Sequence, residues 1–142
     1  MKINRATSKN LPDIFNLLIE FDLPVQGVID HFRNFFVLRV KGKICGSVGL
    51  EIHQNSCILR SLAVTGAEQG KGYGRNLVEE VFRLVKRNNM KRIYLLTTDA
   101  VDYFKRFDFK IINRDEVDSE IQKSLQFTSL CCQSAACMIK II

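Results

Sequence analysis

Apolar residues recur along this chain with two periods, about 3.6 residues and 2, and the switches between them lay out its elements. After a short strand over 2–6, Leu11, Ile14, Phe15 and Leu18 share one helical face. Ser8 or Asn10 can cap that helix and Pro12 falls in its first turn, so it is expected to run to about Phe21. The segment 22–31 reads as a loop and a short second helix bordering a cleft. Residues 34–40, rich in Phe and Val, the turn Lys41-Gly-Lys43 and residues 44–53 predict a hairpin. In its second strand Ile44, Val48, Leu50 and Ile52 are apolar whereas Cys45, Ser47, Gly49 and Glu51 are small or polar, so one face packs and the other lines something. A turn at Gln54-Asn55 leads into 56–64, which is apolar on both faces apart from Arg60 and Ser61, as in a central strand.

The second half alternates strand and helix. Leu77, Val78, Val81, Phe82, Leu84 and Val85 predict a long helix from Tyr73 or Gly74 to Asn88, with its acids nearer the start and its bases nearer the end, in agreement with the helix dipole. A strand over 91–98, a short helix over 99–107, a strand over 109–113, a weak helix over 116–123 and a terminal strand over 136–142 follow. The whole predicts one α/β domain over 1–142, with a mixed, mostly antiparallel sheet flanked by helices.

Arg60 is the anomaly in this pattern. If Gln54 and Asn55 are the turn, antiparallel pairing sets 51 opposite 58 and 49 opposite 60, which makes Glu51 and Arg60 diagonal neighbours that long side chains can bridge. An ion pair would neutralise Arg60, since an unpaired buried charge is costly. The sharper alternative is a polar cleft.

Charge and composition narrow the function. The chain has 142 residues and a net charge of +6. Residues 60–92 hold eight basic residues against three acidic ones, so +5 of that total lies in the middle of the chain. That segment expects an anion. Its Lys and Arg residues are not interleaved with the aromatics of a single-strand binder and no groove-reading motif is present, so a phosphate-rich small molecule fits better than nucleic acid. No apolar run of about 18 residues could span a bilayer, and the polar start, 1–10, is unlike a signal peptide; a cytoplasmic protein without a membrane partner is the expectation. Five cysteines, Cys45, Cys57, Cys131, Cys132 and Cys137, suit reduced thiols rather than a disulfide framework. A structural zinc wants four ligands and the only histidines are His31 and His53, so no metal is expected. Packing of Cys137 in the last strand outweighs binding of a thiophilic ion by the three C-terminal thiols.

The candidate anion site is Gln69-Gly70-Lys71-Gly72-Tyr73-Gly74-Arg75, between the central strand and the long helix. Its glycines allow close backbone approach, and the N–H groups at the start of the helix attract anions. It lacks the Walker Lys-Ser/Thr, and its G-x-G-x-G spacing differs from the Rossmann fingerprint.

Here the sequence resembles the GNAT acyltransferases, whose pyrophosphate loop reads Q/R-x-x-G-x-G/A. About 25 residues on, that family carries A-x-x-F-Y-x-x-x-G-F, and Ala100, Tyr103, Phe104, Asp108 and Phe109 stand at its positions. Leu59-Arg-Ser-Leu-Ala-Val64, Tyr94-Leu-Leu-Thr-Thr98, Ser129-Leu-Cys131 and Ser134-Ala-x-Cys137-Met138 look like the arsenic-resistance N-acetyltransferase subgroup, with Cys132 where its pattern usually has proline.

The resemblance implies direct transfer of an acetyl group from acetyl-CoA to a primary amine of a small molecule, such as an amino acid or analogue, in a ternary complex. Leu62, Ala63 and Val64 would pair with the pantetheine and residues 69–75 would hold the pyrophosphate. A backbone N–H near Leu62 would stabilise the oxyanion, and Arg60 and Thr97 would face the acceptor. Glu51 is the first candidate for the base, ahead of Asp99 and His53, although pairing with Arg60 would weaken it. The family's usual acid position is Phe104; Tyr103 is its neighbour, turned by about 100° on a helix. A non-catalytic acyl-CoA-binding regulatory module is the alternative that Phe104 raises. Either reading is compatible with a homodimer.

Overall fold

The computed structural model describes residues 1–128 and 134–142, so the expectations placed on Cys131, Cys132 and the segment that contains them lie outside the described residues. Its strands are β1 (Lys2–Arg5), β2 (Phe35–Val40), β3 (Lys43–His53), β4 (Ser56–Val64), β5 (Arg92–Thr97), β6 (Lys110–Ile111) and β7 (Ala136–Ile141). They form one sheet in the order β1-β2-β3-β4-β5-β7-β6, in which β4–β5 is the parallel pair and the others are antiparallel. The helices are α1 (Leu11–Glu20), α2 (Val28–His31), α3 (Tyr73–Arg87), α4 (Val101–Lys105), α5 (Ser119–Gln122) and α6 (Leu125–Thr128).

Strand alternation divides the core into two layers. Phe36, Leu38, Leu50, Cys57, Leu59, Ile93, Leu95 and Met138 face α3 and the aromatic residues Phe104, Phe107 and Phe109. Phe35 and Val37 point the other way, against Ile14 and Leu18 of α1 and Val28 of α2. On that same side Ile58, Tyr94, Cys137 and Ile139 pack on Val117 and Ile121. Burial pushes the Cys137 thiol up to about 11, as suits a packed side chain. Among the described residues, no helix is long and apolar enough to cross a membrane.

Several predicted boundaries move. The helix expected over 99–107 shrinks to Val101–Lys105, and the strand over 109–113 to Lys110–Ile111 at the sheet edge. The helix expected over 116–123 is replaced by a 3-10 turn at Arg114–Glu116 and the short α5 and α6, with Ser124 between them. Both faces of β3 are covered by helices, so its small residues are buried rather than set on an open surface: Ser47 is fully buried, and its hydroxyl donates to the Ser61 carbonyl. Gly49 is needed because the Phe35 ring lies over it; a Cβ there would come within 2.2 Å of that ring. Gly49→Ala is therefore expected to cost about 1–3 kcal/mol through overpacking, readable as a lowered thermal midpoint.

Candidate active site

The turn at Gln54-Asn55 gives the pairing that the sequence predicts, with Gly49 opposite Arg60 and Glu51 opposite Ile58. Two residues later the register breaks. Between Gly49↔Arg60 and Ser47↔Ala63, β4 carries one residue more than β3, and Ser61 takes up the excess at φ +60°. This bulge falls where β4 parts from β5, whose pairing stops at Ile58↔Tyr94. Downstream of that point the β5-facing edge of β4 is open.

Two clefts occupy the gap. The larger, about 510 Å³, is lined by Leu62, Ala63 and Val64 of β4, by Gln69, Gly70, Gly72, Tyr73, Gly74 and Arg75, and by Tyr103. The smaller, about 130 Å³, lies among Leu23, Arg60, Ser61, Leu62, Thr97, Asp99, Tyr103 and Phe104. Leu62 and Tyr103 border both.

The glycine loop is built as an anion cradle. Gly70 and Gly72 sit at φ +80° and +82°, and a Cβ on either would meet nothing within 4 Å, so the space above them is open. Gly72 is the N-cap of α3, whose start has no side-chain cap and no acidic residue in its first turn. Its first N–H groups are thus left for a ligand. Gln69 Nε2 donates to the Val64 carbonyl at 2.8 Å and ties the loop to the end of β4. Lys71 leans away and pairs with Glu68 at 2.8 Å, while the exposed Arg75 lies over the Phe107 ring.

Tyr103 and Phe104 divide the roles that the motif suggests. Phe104 is buried in the core, packed edge-on against Phe109. Tyr103 reaches over the start of α3: a Cβ on Gly74 would stand 2.8 Å from its hydroxyl. Burial raises the Tyr103 pKa, so its phenol keeps its proton at neutral pH. Asp108, at the position of the motif's glycine, has φ +69°, a left-handed conformation that Asp tolerates better than most residues. Of the remaining candidates, Asp99 is exposed at the small cleft. Thr97 is buried and its hydroxyl accepts the Ala100 N–H at 3.0 Å, which holds the turn into α4.

Glu51 and Arg60 are joined, and they lie deep. Arg60 Nη1 donates to Glu51 Oε2 at 2.7 Å, and the two side chains are 1% and 2% exposed. Arg60 also donates from Nε to Ser61 Oγ at 3.0 Å, from Nη1 to the Gln26 carbonyl at 2.5 Å and from Nη2 to the Pro24 carbonyl at 2.9 Å. Four of its N–H directions are spent on the protein, so the guanidinium pins the 22–27 loop rather than presenting itself to an acceptor. Glu51 Oε1 accepts from Ser124 Oγ at 2.9 Å and from His53 Nε2 at 3.1 Å. Burial alone would raise its pKa, but the hydrogen bonds from His53 and Arg60 and the Arg60 charge outweigh burial and hold it at about 2. Glu51 lines neither cleft, and a carboxylate so strongly held is a poor proton acceptor.

Sequence reasoning passed over four supports of this pair. Gly27 has φ +84°, and a Cβ there would press on Arg60 Nη1 at 3.2 Å. Ser124 is 73 positions from Glu51, and the Pro24 and Gln26 carbonyls carry no side-chain signature at all. Only the positive-φ demand at Gly27, directly before a short helix, leaves a trace in sequence.

A family model described as an acetyltransferase (GNAT) domain matches residues 31–111. An uncharacterized N-acetyltransferase of Chlorobaculum tepidum is 31% identical over 98 residues, 68% of this chain and 63% of that protein, so the chain spans under two thirds of that relative's length. Among solved structures, Rv2747 from Mycobacterium tuberculosis, in complex with CoA and NLQ, superposes with a TM-score of 0.84 at 19% identity, over 100% of this chain and 99% of that one. N-acetylglutamate synthase from Neisseria gonorrhoeae, complexed with coenzyme A and N-acetyl-glutamate, gives 0.84 at 20% identity, over 99% of this chain and 34% of that one. At such identities the likeness is one of fold.

Proposed function

The chain belongs to the GNAT acetyltransferase family, and we propose that it moves an acetyl group from acetyl-CoA to a primary amine of a small molecule in a ternary complex. The observation that carries this reading is the meeting of two clefts at Leu62 and Tyr103. One cleft suits a long phosphorylated donor and the other a small acceptor. Acetyl-CoA supplies the activated acetyl thioester. The N–H groups at the start of α3 and the loop from Gln69 to Arg75 hold its phosphates, and the open edge over Leu62, Ala63 and Val64 takes the pantetheine as a strand-like segment. A backbone N–H near Leu62, next to the Ser61 bulge, would steady the carbonyl oxygen. Arg60 fixes the loop that walls the acceptor cleft.

Asp99 and Tyr103 are the proton-handling groups of this reading. Asp99, exposed at the small cleft, attracts the amine; the neutral amine attacks the thioester carbonyl, the N–C bond forms as the C–S bond breaks, and the proton lost from the nitrogen passes through water to Asp99. Tyr103 keeps its phenolic proton and donates a hydrogen bond toward the leaving sulfur, a thiolate of ordinary pKa near 8.5. Glu51 acts as a positioning residue through Arg60. The acceptor cleft, about 130 Å³, favours a compact amine such as an amino acid or an analogue, and the resemblance of 59–64 and 94–98 to arsenic-resistance N-acetyltransferases is the reason to include arsenic analogues.

The test is calorimetry with acetyl-CoA followed by thiol release over a panel of amino acids and their arsenic and phosphorus analogues. Binding with acceptor-dependent thiol release is expected. Binding without release on any amine would favour the non-catalytic acyl-CoA module. Tyr103→Phe should lower kcat about 100-fold while acetyl-CoA affinity is little changed, the low end of the scale for a lost proton-donating group.

A further inference from the structure

We propose that His31, Glu51 and His53 form a site for one divalent transition ion of the zinc, cobalt or nickel class, outside both clefts. The Nε2 atoms of His53 and His31 lie 3.1 and 3.6 Å from the same Glu51 oxygen, Oε1. All three donor atoms fall within 4.8 Å of one another. An ion bound at about 2.0–2.1 Å to nitrogen and oxygen sets neighbouring tetrahedral donors roughly 3.3–3.4 Å apart, so the spacing about Oε1 already matches the two edges that meet there.

The hydrogen bonding at this point is crowded in a way that a cation resolves. Oε1 accepts from Ser124 and His53, and His31 at 3.6 Å is too far for a hydrogen bond. Two imidazole nitrogens therefore converge on one oxygen that satisfies only one of them. An ion takes the place of the His53 donation: with the ring protons moved to Nδ1, His53 no longer donates to Oε1 and both Nε2 atoms offer lone pairs to the ion. Arg60 on Oε2 and Ser124 on Oε1 are outer partners that fix the carboxylate, as ligating carboxylates require.

Access and placement agree. Glu51 is buried, but the His31 and His53 side chains are 24% and 22% exposed, so an ion enters from solvent along the imidazoles and keeps a water on its open side. Glu51 and His53 are two apart on β3 and share a face, and His31 comes from α2; the ion would tie α2 to the sheet. The Arg60 charge beside Glu51 weakens the attraction, so binding weaker than at a site without a neighbouring cation is expected. Counting thiols and histidines in sequence overlooks this trio because its third member is 20 positions from Glu51 on another element.

Titration of the full chain with Co²⁺, followed by absorbance and calorimetry, tests the site. One Co²⁺ per chain is expected, with visible bands of a low-coordinate nitrogen and oxygen site that Zn²⁺ abolishes. His31→Ala and His53→Ala should each weaken binding at least tenfold, roughly the loss of one ligand, while circular dichroism and acetyl-CoA binding stay as in the parent. No binding at millimolar Co²⁺, binding indifferent to both substitutions, or a near-ultraviolet sulfur-to-cobalt band marking thiolate ligation would each overturn the proposal.

Discussion

Arg60→Met is expected to destabilise the fold by about 3–5 kcal/mol, the loss seen when one partner of a buried ion pair is removed and the other stays charged. Methionine fills much of the volume, so the effect is electrostatic rather than a cavity. It leaves the Glu51 carboxylate with only Ser124 and His53 as donors, and it strands the Pro24 and Gln26 carbonyls. The thermal midpoint should fall by roughly 10–20 °C. Glu51→Gln should cost less, because the amide oxygen can still accept from Arg60. The double variant should be less destabilised than the sum of the two singles by at least about 2 kcal/mol, since residues in one buried network couple strongly. A cycle closing with zero coupling would reject the pair as a unit.

The same pair predicts an acid limb. Glu51 has a folded pKa depressed to about 2 against an ordinary 4.5, so its stabilising contribution is fully present above pH 4.5 and is lost as the pH falls from there toward 2. The shift corresponds to about 3 kcal/mol at most. Glu51→Gln should flatten the fall of stability between pH 4.5 and 2 by up to one proton's slope. An unchanged slope would mean that other carboxylates carry the acid transition.

How much of this was legible depended on whether the signal was local. The Gln54-Asn55 turn fixes the β3–β4 register, and register alone places Glu51 beside Arg60 on one face. The amphipathic pattern of α3 and the glycines before it likewise locate the loop, because both effects act within a few residues. What decides the role of Arg60 is different in kind. Its acceptors are backbone carbonyls 34 and 36 positions away, which no residue type announces. Ser124, a hydroxyl in a turn between two four-residue helices, looks like solvent-facing polarity until the chain folds it onto Glu51. Periodicity also overestimated the elements between 99 and 123, where short apolar runs serve a packed loop as well as a helix.

Gly72→Val is expected to weaken acetyl-CoA binding at least tenfold, about 1.4 kcal/mol, while the chain still folds. Two effects add. Gly72 sits at φ +82°, where a β-branched residue is strained by about 1–2 kcal/mol and tends to pull the loop out of shape. A valine side chain would also project into the open space above the first N–H groups of α3, since nothing in the protein lies within 4 Å of a Cβ there. Gly42, at φ +78° in the β2–β3 hairpin with nothing within 4 Å of its Cβ either, is the matched control. Gly42→Val should show a similar backbone cost in thermal stability and no change in acetyl-CoA affinity, because it adds strain without obstructing the loop. Gly72→Ala should fall between the parent and valine. Unaltered affinity in Gly72→Val would remove the loop from the donor site, whereas equal losses in Gly42→Val and Gly72→Val would trace the effect to general destabilisation instead of the approach path.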